Sequence, residues 1–598
     1  MCGILGMVSK DSFSVRELVS RLQRLEYRGY DSAGCATAEG FLRRKVGSIS
    51  GFLASLPEDA APDATTCAAI AHTRWATHGG IAEQNAHPHC AGDVCIVHNG
   101  IIENFLELKE ELELKGAIFR SETDSEVIAH FLQQYAAEPD LHKGMQDLME
   151  RLHGTYAIIA LRKGDPRLWV AKKDSPVVLG IVGSGGSASA DGYSSYIVSS
   201  DIFAFSDLTR KAVFLEDFQY LMIDAKSARL YDRKGKQLPV KPKEFHWESH
   251  NGGKMHYEHH MIKEIYEVPD VARNLEESLA GPQAASLSRM ISLLRESSRI
   301  ILLGSGTSYH AALLGRHLLT AAGLDAYAYA STDFDASMAR SHDAIIAISQ
   351  SGETMDLLVT LKAIAARPDR GDIRIMGLVN VPHSSIERMA DCCIRVEAGQ
   401  EVCVAATKSF ANQIVALLTL AKAFGFKTTY ARLPLAEVIE QAEPVAQEIA
   451  PWLASKQSMY IIGAGACYPA AMEMALKIKE VSYIHAEGML AGELKHGTLA
   501  LIEKDVPVIA IIPDAKSHTV SSVKEVEARG ASSVLVAGAD KAELGLKGKA
   551  LFRVPAGSDA EVSLFAAICG QLIAYYTAKH LDRPIDKPRN LAKSVTVL

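Results

Sequence analysis

A chain of 598 residues exceeds what one hydrophobic core supports and implies several domains. Apolar residues at 48%, charged residues at 22% and a mean hydropathy of +0.04 describe an ordinary globular protein, and a net charge of −8 argues against nucleic acid or an anionic membrane as partner. No apolar run reaches the ~20 residues of a bilayer helix, the opening Met-Cys-Gly-Ile-Leu-Gly lacks an export leader's basic region and cleavage pattern, and ten cysteines without paired spacing point to reduced thiols in a cytoplasm.

Cys2 becomes the amino-terminal residue once Met1 is removed, which puts a thiol and an α-amine of near-neutral pKa on one residue, the amine able to serve as base. Cys67–Ala71 predicts a short strand leading into His72-Thr-Arg-Trp-Ala-Thr-His-Gly-Gly80. Val94–Asn104 predicts a strand that breaks at the Asn99-Gly100 turn. Arg28-Gly-Tyr-Asp-Ser-Ala-Gly34 and Ser121-Glu-Thr-Asp-Ser-Glu126 are two further polar clusters.

These four motifs together, within about the first 220 residues, resemble the amino-terminal-cysteine glutamine amidotransferases. The resemblance implies an Ntn-hydrolase αββα fold over residues 1–225. It also implies Cys2 as nucleophile, Asn99 and Gly100 as oxyanion hole, Arg74 on the glutamine carboxylate and Asp124 at its amine. Trp75, Thr77 and His78 would complete the glutamine pocket, with Trp75 also gating an ammonia channel. Guanidinium suits a bidentate carboxylate, and fixed donors suit a tetrahedral oxyanion. His72, His87 and His98 read as structural.

Farther on, Gly154–Tyr220 predicts short strands of a second sheet, interrupted by a glycine- and serine-rich loop over Gly180–Gly192. Residues 226–255, centred on Pro239–Gly253, read as a linker. A helix opens at His259. The His256-Tyr-Glu-His-His260 cluster and the Cys392-Cys393 pair lack zinc-type spacing, so no metal is assigned.

The remainder is an internal repeat, residues 256–435 and 436–586. Arg299-Ile-Ile-Leu-Leu-Gly-Ser-Gly-Thr-Ser-Tyr aligns with Ser458-Met-Tyr-Ile-Ile-Gly-Ala-Gly-Ala-Cys-Tyr, each a strand, a Gly-x-Gly turn and a helix. A dinucleotide fingerprint is disfavoured, because Tyr309 and Tyr468 stand where its third glycine belongs. Ile348-Ser-Gln-Ser-Gly-Glu-Thr354 instead ends a strand in hydroxyls and starts a helix, a phosphate cradle of N–H groups and helix dipole. With Gly304-Ser-Gly-Thr-Ser308 it resembles the sugar-isomerase (SIS) family, doubly wound flavodoxin-like domains that bind phosphosugars.

Glu473, Lys477 and Glu480 fall at i, i+4 and i+7 of a predicted helix and share one face. A solvated salt-bridge ladder is the plain reading. A carboxylate beside a lysine, followed by glycines with His485 and His496 among them, is also what proton transfer on a sugar carbon requires. Val404-Ala-Ala-Thr-Lys-Ser-Phe410, Ala475–Glu487, Gly492-Glu-Leu-Lys-His-Gly497 and Lys587–Leu598 extend the likeness over the whole chain, which resembles the isomerising glutamine:fructose-6-phosphate aminotransferase family in its shorter prokaryotic form.

That resemblance implies two substrates, L-glutamine and fructose 6-phosphate, no cofactor or metal (pyridoxal phosphate included), and a homodimer. Ser305 or Thr307, Ser308, Ser349, Gln350, Ser351, Thr354 and Val404 would hold the phosphosugar. His496, from the neighbouring subunit, would open the ring. Lys593, in a tail at 587–598, would form the imine, and Glu480 with Lys477 would move the proton. Ala406 and Ser331–Asp335 depart from the family pattern. A phosphoribosyl-transferring amidotransferase is a rival disfavoured by the repeat. A phosphosugar sensor lacks its DNA-binding helices here, and a glutamine-independent phosphosugar isomerase or deaminase is disfavoured by the complete first half.

Overall fold

The computed structural model describes residues 2–57, 65–76, 78–183, 193–245, 253–368 and 370–595. Thr77 and residues 184–192 of the glycine-rich loop therefore lie outside the described residues. The chain forms two compact units, one built on residues up to 249 and the other on residues 250–593.

The first unit carries an eight-stranded and a seven-stranded sheet. Period-2 alternation sorts its first strand, Gly3–Ser14, between two cores. Ile4 and Val8 face the seven-stranded sheet and pack with Val97, Ile159 and Val170. Leu5 and Met7 face the other way, against the helix Val15–Leu22 through Leu18 and Leu22. On the outer side of the second sheet, helices Phe105–Leu114, Glu126–Gln133 and His142–Arg151 cover Ile96, Ile158 and Trp169. The result is the four-layer αββα arrangement.

Three expectations are corrected here. The strand Val94–Ile102 does not break at Asn99-Gly100, because its antiparallel ladder with Gly154–Arg162 carries through that pair to Ile102. Residues 228–244 are not linker: Ala228–Asp232 and Gln237–Leu238 extend the seven-stranded sheet and Lys243–Glu244 edges the other. Gln237–Leu238 and Lys243–Glu244 are two-residue edge strands, too short for alternation to reveal them. Finally, the thiols are not all reduced, since Cys90 and Cys95 lie opposite each other on the hairpin His89–Ala91/Val94–Ile102 and form a disulfide.

The second unit contains two five-stranded parallel sheets of identical order, the second strand outermost, then the first, third, fourth and fifth. The first runs through Arg299–Gly304, Ala326–Ala330, Asp343–Ser349, Arg374–Val379 and Cys392–Arg395, the other through Ser458–Gly463, His485–Leu490, Pro507–Ile512, Ser532–Ala537 and Ala550–Arg553. His485–Leu490, glycine-containing and read above as site backbone, is thus an edge strand. One core spans both sheets and the helices between them, including Ile300, Phe410, Ile461, Ile478 and Phe565. The helix Asp559–His580 is apolar and long enough to cross a bilayer, but it is buried in this core. Each half repeats the same turn after its first strand: Gly306 and Gly465 have φ of +54° and +53°, conformations that favour glycine.

Candidate functional sites

In the first unit, Cys2 sits at the head of the Gly3–Ser14 strand, and its Sγ accepts the N–H of Trp75 at 3.1 Å. Asn99 Nδ2 donates to the Cys2 carbonyl at 2.8 Å. Gly100, at φ +137°, lies so close to its neighbouring strand that a Cβ would stand 2.0 Å from the Thr155 carbonyl. Asp124 is fixed by the Ile102 N–H at 2.8 Å, and Arg74 by the carbonyls of His78, Gly79 and Gly80. Cys2, Arg74, Trp75, His78, Gly100 and Asp124 line one cavity. A buried cation and a buried carboxylate facing one space suit the two termini of a free amino acid. Burial raises the Cys2 thiol above its ordinary pKa, so it needs a base to act as nucleophile.

His87 and His98, read from the sequence as structural, also line this cavity; His72 stacks on His87 with centroids 4.0 Å apart, and His89 meets His87 edge-on at 4.4 Å. Burial lowers the pKa of all three imidazoles and of His98. Two supports escaped the sequence reading. Asp31 Oδ2 accepts the Ala76 N–H at 2.9 Å and shapes the turn beside the thiol. Arg28 pairs with buried Asp201 at 2.5 Å, which also accepts Tyr27 Oη–H at 2.6 Å. Asp31 and Arg28 were visible in their motif, but Asp201, 173 residues from Arg28, was not.

In the second unit, Gly304-Ser-Gly-Thr-Ser308 and Ser349–Thr354 leave the carboxyl ends of adjacent parallel strands, on either side of the point where strand order reverses. Ligands of doubly wound sheets bind there. Ser349 Oγ and Thr354 Oγ1 are 2.9 Å apart, and Ser349 Oγ accepts the Gly352 N–H at 3.0 Å, so the turn is formed before any ligand arrives. Ser351 Oγ accepts the Glu353 N–H at 3.1 Å, while half-buried Gln350 receives the Asn380 N–H on its carbonyl. Ser305 bonds Ser331, and Ser308 Oγ accepts from Gln413 at 3.1 Å.

Thr307 is committed differently. Its hydroxyl donates to Glu473 at 3.1 Å and accepts from Lys477 at 3.0 Å. Glu473, Lys477 and Glu480 are not a solvated ladder: their side chains are 0%, 1% and 18% exposed. Lys477 stands 3.3 Å from Glu473 and 2.6 Å from Glu480, both carboxylates raising its pKa against the opposing effect of burial. Apart from this ion pair, the Glu480 oxygen facing Lys477 has no hydrogen-bond partner among the described residues.

Lys593 Nζ donates to Glu401 at 2.6 Å, their side chains 3% and 0% exposed. Burial opposes the charge on Glu401, but Lys593, the Thr407 N–H and the Ser409 hydroxyl outweigh it and hold the carboxyl at about 2. The adjoining backbone is stapled where the Val404 N–H meets the Asp586 carbonyl at 3.1 Å. Glu264 lies against the same loop and accepts the N–H groups of Val402 and Cys403. Burial and the Glu401 charge push it up to about 8. His496 is exposed on the turn Glu493–His496, unlike the buried cluster.

A glutamine amidotransferase domain matches residues 72–177, and a SIS domain matches twice, at 293–423 and 452–581. The class is therefore a glutamine amidotransferase unit joined to a pair of SIS domains. Curated relatives named glutamine--fructose-6-phosphate aminotransferase [isomerizing] match along 100% of both chains: 38% identity over 626 residues in Pyrococcus horikoshii, 37% over 617 in Methanothermobacter thermautotrophicus and 37% over 633 in Pseudomonas putida. The chain belongs to the isomerising glutamine–fructose-6-phosphate aminotransferase family.

Proposed function

We propose that this chain converts fructose 6-phosphate and L-glutamine into glucosamine 6-phosphate and glutamate. The observation that carries the reading is the buried Glu473–Lys477–Glu480 cluster joined through Thr307 to a hydroxyl-lined turn, in a chain that also holds the Cys2 cavity.

In the first unit the Cys2 thiol, its proton taken by its own α-amine, adds to the glutamine carboxamide. Asn99 and the Gly100 N–H hold the oxyanion, Arg74 and Asp124 hold the amino-acid end, and His78 completes the pocket. The C–N bond breaks, ammonia leaves, and water hydrolyses the thioester to glutamate. In the second unit Ser349, Gln350, Ser351 and Thr354 hold the phosphate, with Ser308 and Val404 bracing the sugar. His496 opens the ring, supplied across a homodimer interface in a cytoplasmic enzyme. Lys593 gives its amine to C2 with loss of water, and ammonia displaces it. Glu480, its charge balanced by Lys477, removes a proton from C1 and returns it to C2, giving the 2-amino aldose.

The test is product analysis of wild type beside Cys2→Ala and Glu480→Gln. Wild type yields glucosamine 6-phosphate and glutamate, Cys2→Ala works with ammonia alone, and Glu480→Gln fails with either nitrogen source. Isomerised sugar without glutamine consumption would refute the first-unit assignment. Glutamate without any change in fructose 6-phosphate would refute the second.

A further inference from the structure

Lys477 is a buried cation with two anions on its own helix, Glu473 one turn behind and Glu480 one turn ahead. A lysine so placed divides its charge according to which carboxylate is freer to turn toward it. Glu473 is not free. Its Oε1 takes Thr307 and Lys477, and its Oε2 lies 2.7 Å from Nδ1 of His310, a side chain 8% exposed on the helix Thr307–Ala321. Facing a carboxylate oxygen, Nδ1 carries the proton and donates. That helix and Tyr468–Ser482 are repeat equivalents, each following the first strand of its sheet, so the duplication itself brings His310 against Glu473.

We infer that His310 is a positioning residue for the proton transfer: by occupying the second oxygen of Glu473 it prevents that carboxylate from chelating Lys477 and so keeps the ammonium on Glu480. Without His310, both Glu473 oxygens turn to Lys477 and the cation withdraws from Glu480. The acid–base group then loses its balancing charge and its orientation. Thr307 extends the same network to the sugar-binding turn, since it lies two residues after Ser305 and touches both Glu473 and Lys477. The inference rests on Glu480 as the proton-transferring group proposed above.

The test compares His310→Leu, which fills the space without a donor, with His310→Gln, which restores an N–H donor. Each is assayed with ammonia for aminosugar formation and for exchange of the C1 hydrogen with deuterated solvent, and glutamine hydrolysis is measured separately. His310→Leu should lower kcat at least tenfold and slow C1 exchange in parallel, with KM for fructose 6-phosphate within twofold and glutamine hydrolysis intact. His310→Gln should recover to within about threefold of wild type. Unchanged kcat and exchange in His310→Leu overturns the inference, as does a His310→Gln variant that is folded by circular dichroism yet as slow as His310→Leu. If wild type itself makes no aminosugar, the proposed function fails instead, and the two failures stay distinct.

Discussion

Replacing Lys477 by Met removes one charge and leaves the side-chain volume nearly unchanged, so its consequences are electrostatic. The ion pairs at 3.3 and 2.6 Å correspond to gross attractions of about 5 and about 6 kcal/mol at an effective dielectric of about 20. Much of that is offset, because Met has no ammonium to desolvate. The carboxylates are what suffer, and losing one partner of a buried pair costs about 3–5 kcal/mol. Glu473 bears most of the loss, being 0% exposed, whereas Glu480 at 18% can partly hydrate. Scanning calorimetry on wild type and variant should show the transition of the second unit falling by on the order of 5–10 °C, with that of the first unit in place. Adding Glu473→Gln to Lys477→Met removes the uncompensated buried charge and should recover at least half of the shift. Below both transitions the single variant should hydrolyse glutamine and form no aminosugar. A shift under about 1 °C, or a double variant no more stable than the single, would refute the argument that this charge triangle is buried and mutually dependent.

Gly100→Ala should lower glutamine hydrolysis by about 10²–10³-fold, since a Cβ would meet the Thr155 carbonyl at 2.0 Å and displace the proposed oxyanion donor; ammonia-driven synthesis should continue, and retained glutaminase activity would contradict the strand geometry. Arg28→Met strands buried Asp201 and should destabilise the first unit by about 3–5 kcal/mol, read as a selective loss in its calorimetric transition. Glu264 is pushed up to about 8 in the folded chain from an ordinary value of 4.5. Its contribution is therefore fully present below about pH 4.5 and lost as pH rises through 8, by up to about 5 kcal/mol. Glu264→Gln should flatten that alkaline decline in the second unit between pH 5 and 9, and an unchanged pH profile would place the titration elsewhere.

The parts of the site legible in the sequence are those where one short segment must satisfy a local geometric demand. The paired Gly-x-Gly turns announce a repeat because both halves need the same left-handed backbone at Gly306 and Gly465. The hydroxyls of Ser349–Thr354 announce a cradle because they follow a buried apolar strand directly. Reading by local rule failed where a neighbouring strand decided the outcome. Asn99-Gly100 is a strong turn signal, yet nine ladder pairs with Gly154–Arg162 hold it in a strand. Cys90 and Cys95 look like two of ten scattered thiols until a hairpin makes them opposite partners.

Helix periodicity placed Glu473, Lys477 and Glu480 on one face, but periodicity is silent about what covers that face. Here it is another helix of the same duplicated architecture, bringing Thr307 and His310, and burial turns a marginal surface ladder into a strongly coupled charge cluster. The same logic applies to Lys593: on a polar terminal stretch it would ordinarily be solvated, and only Glu401, 192 residues earlier, makes it a buried ion pair. In this chain a single segment is enough to suggest a cradle, whereas the proposed acid–base chemistry depends on charges that meet only after two repeats pack together.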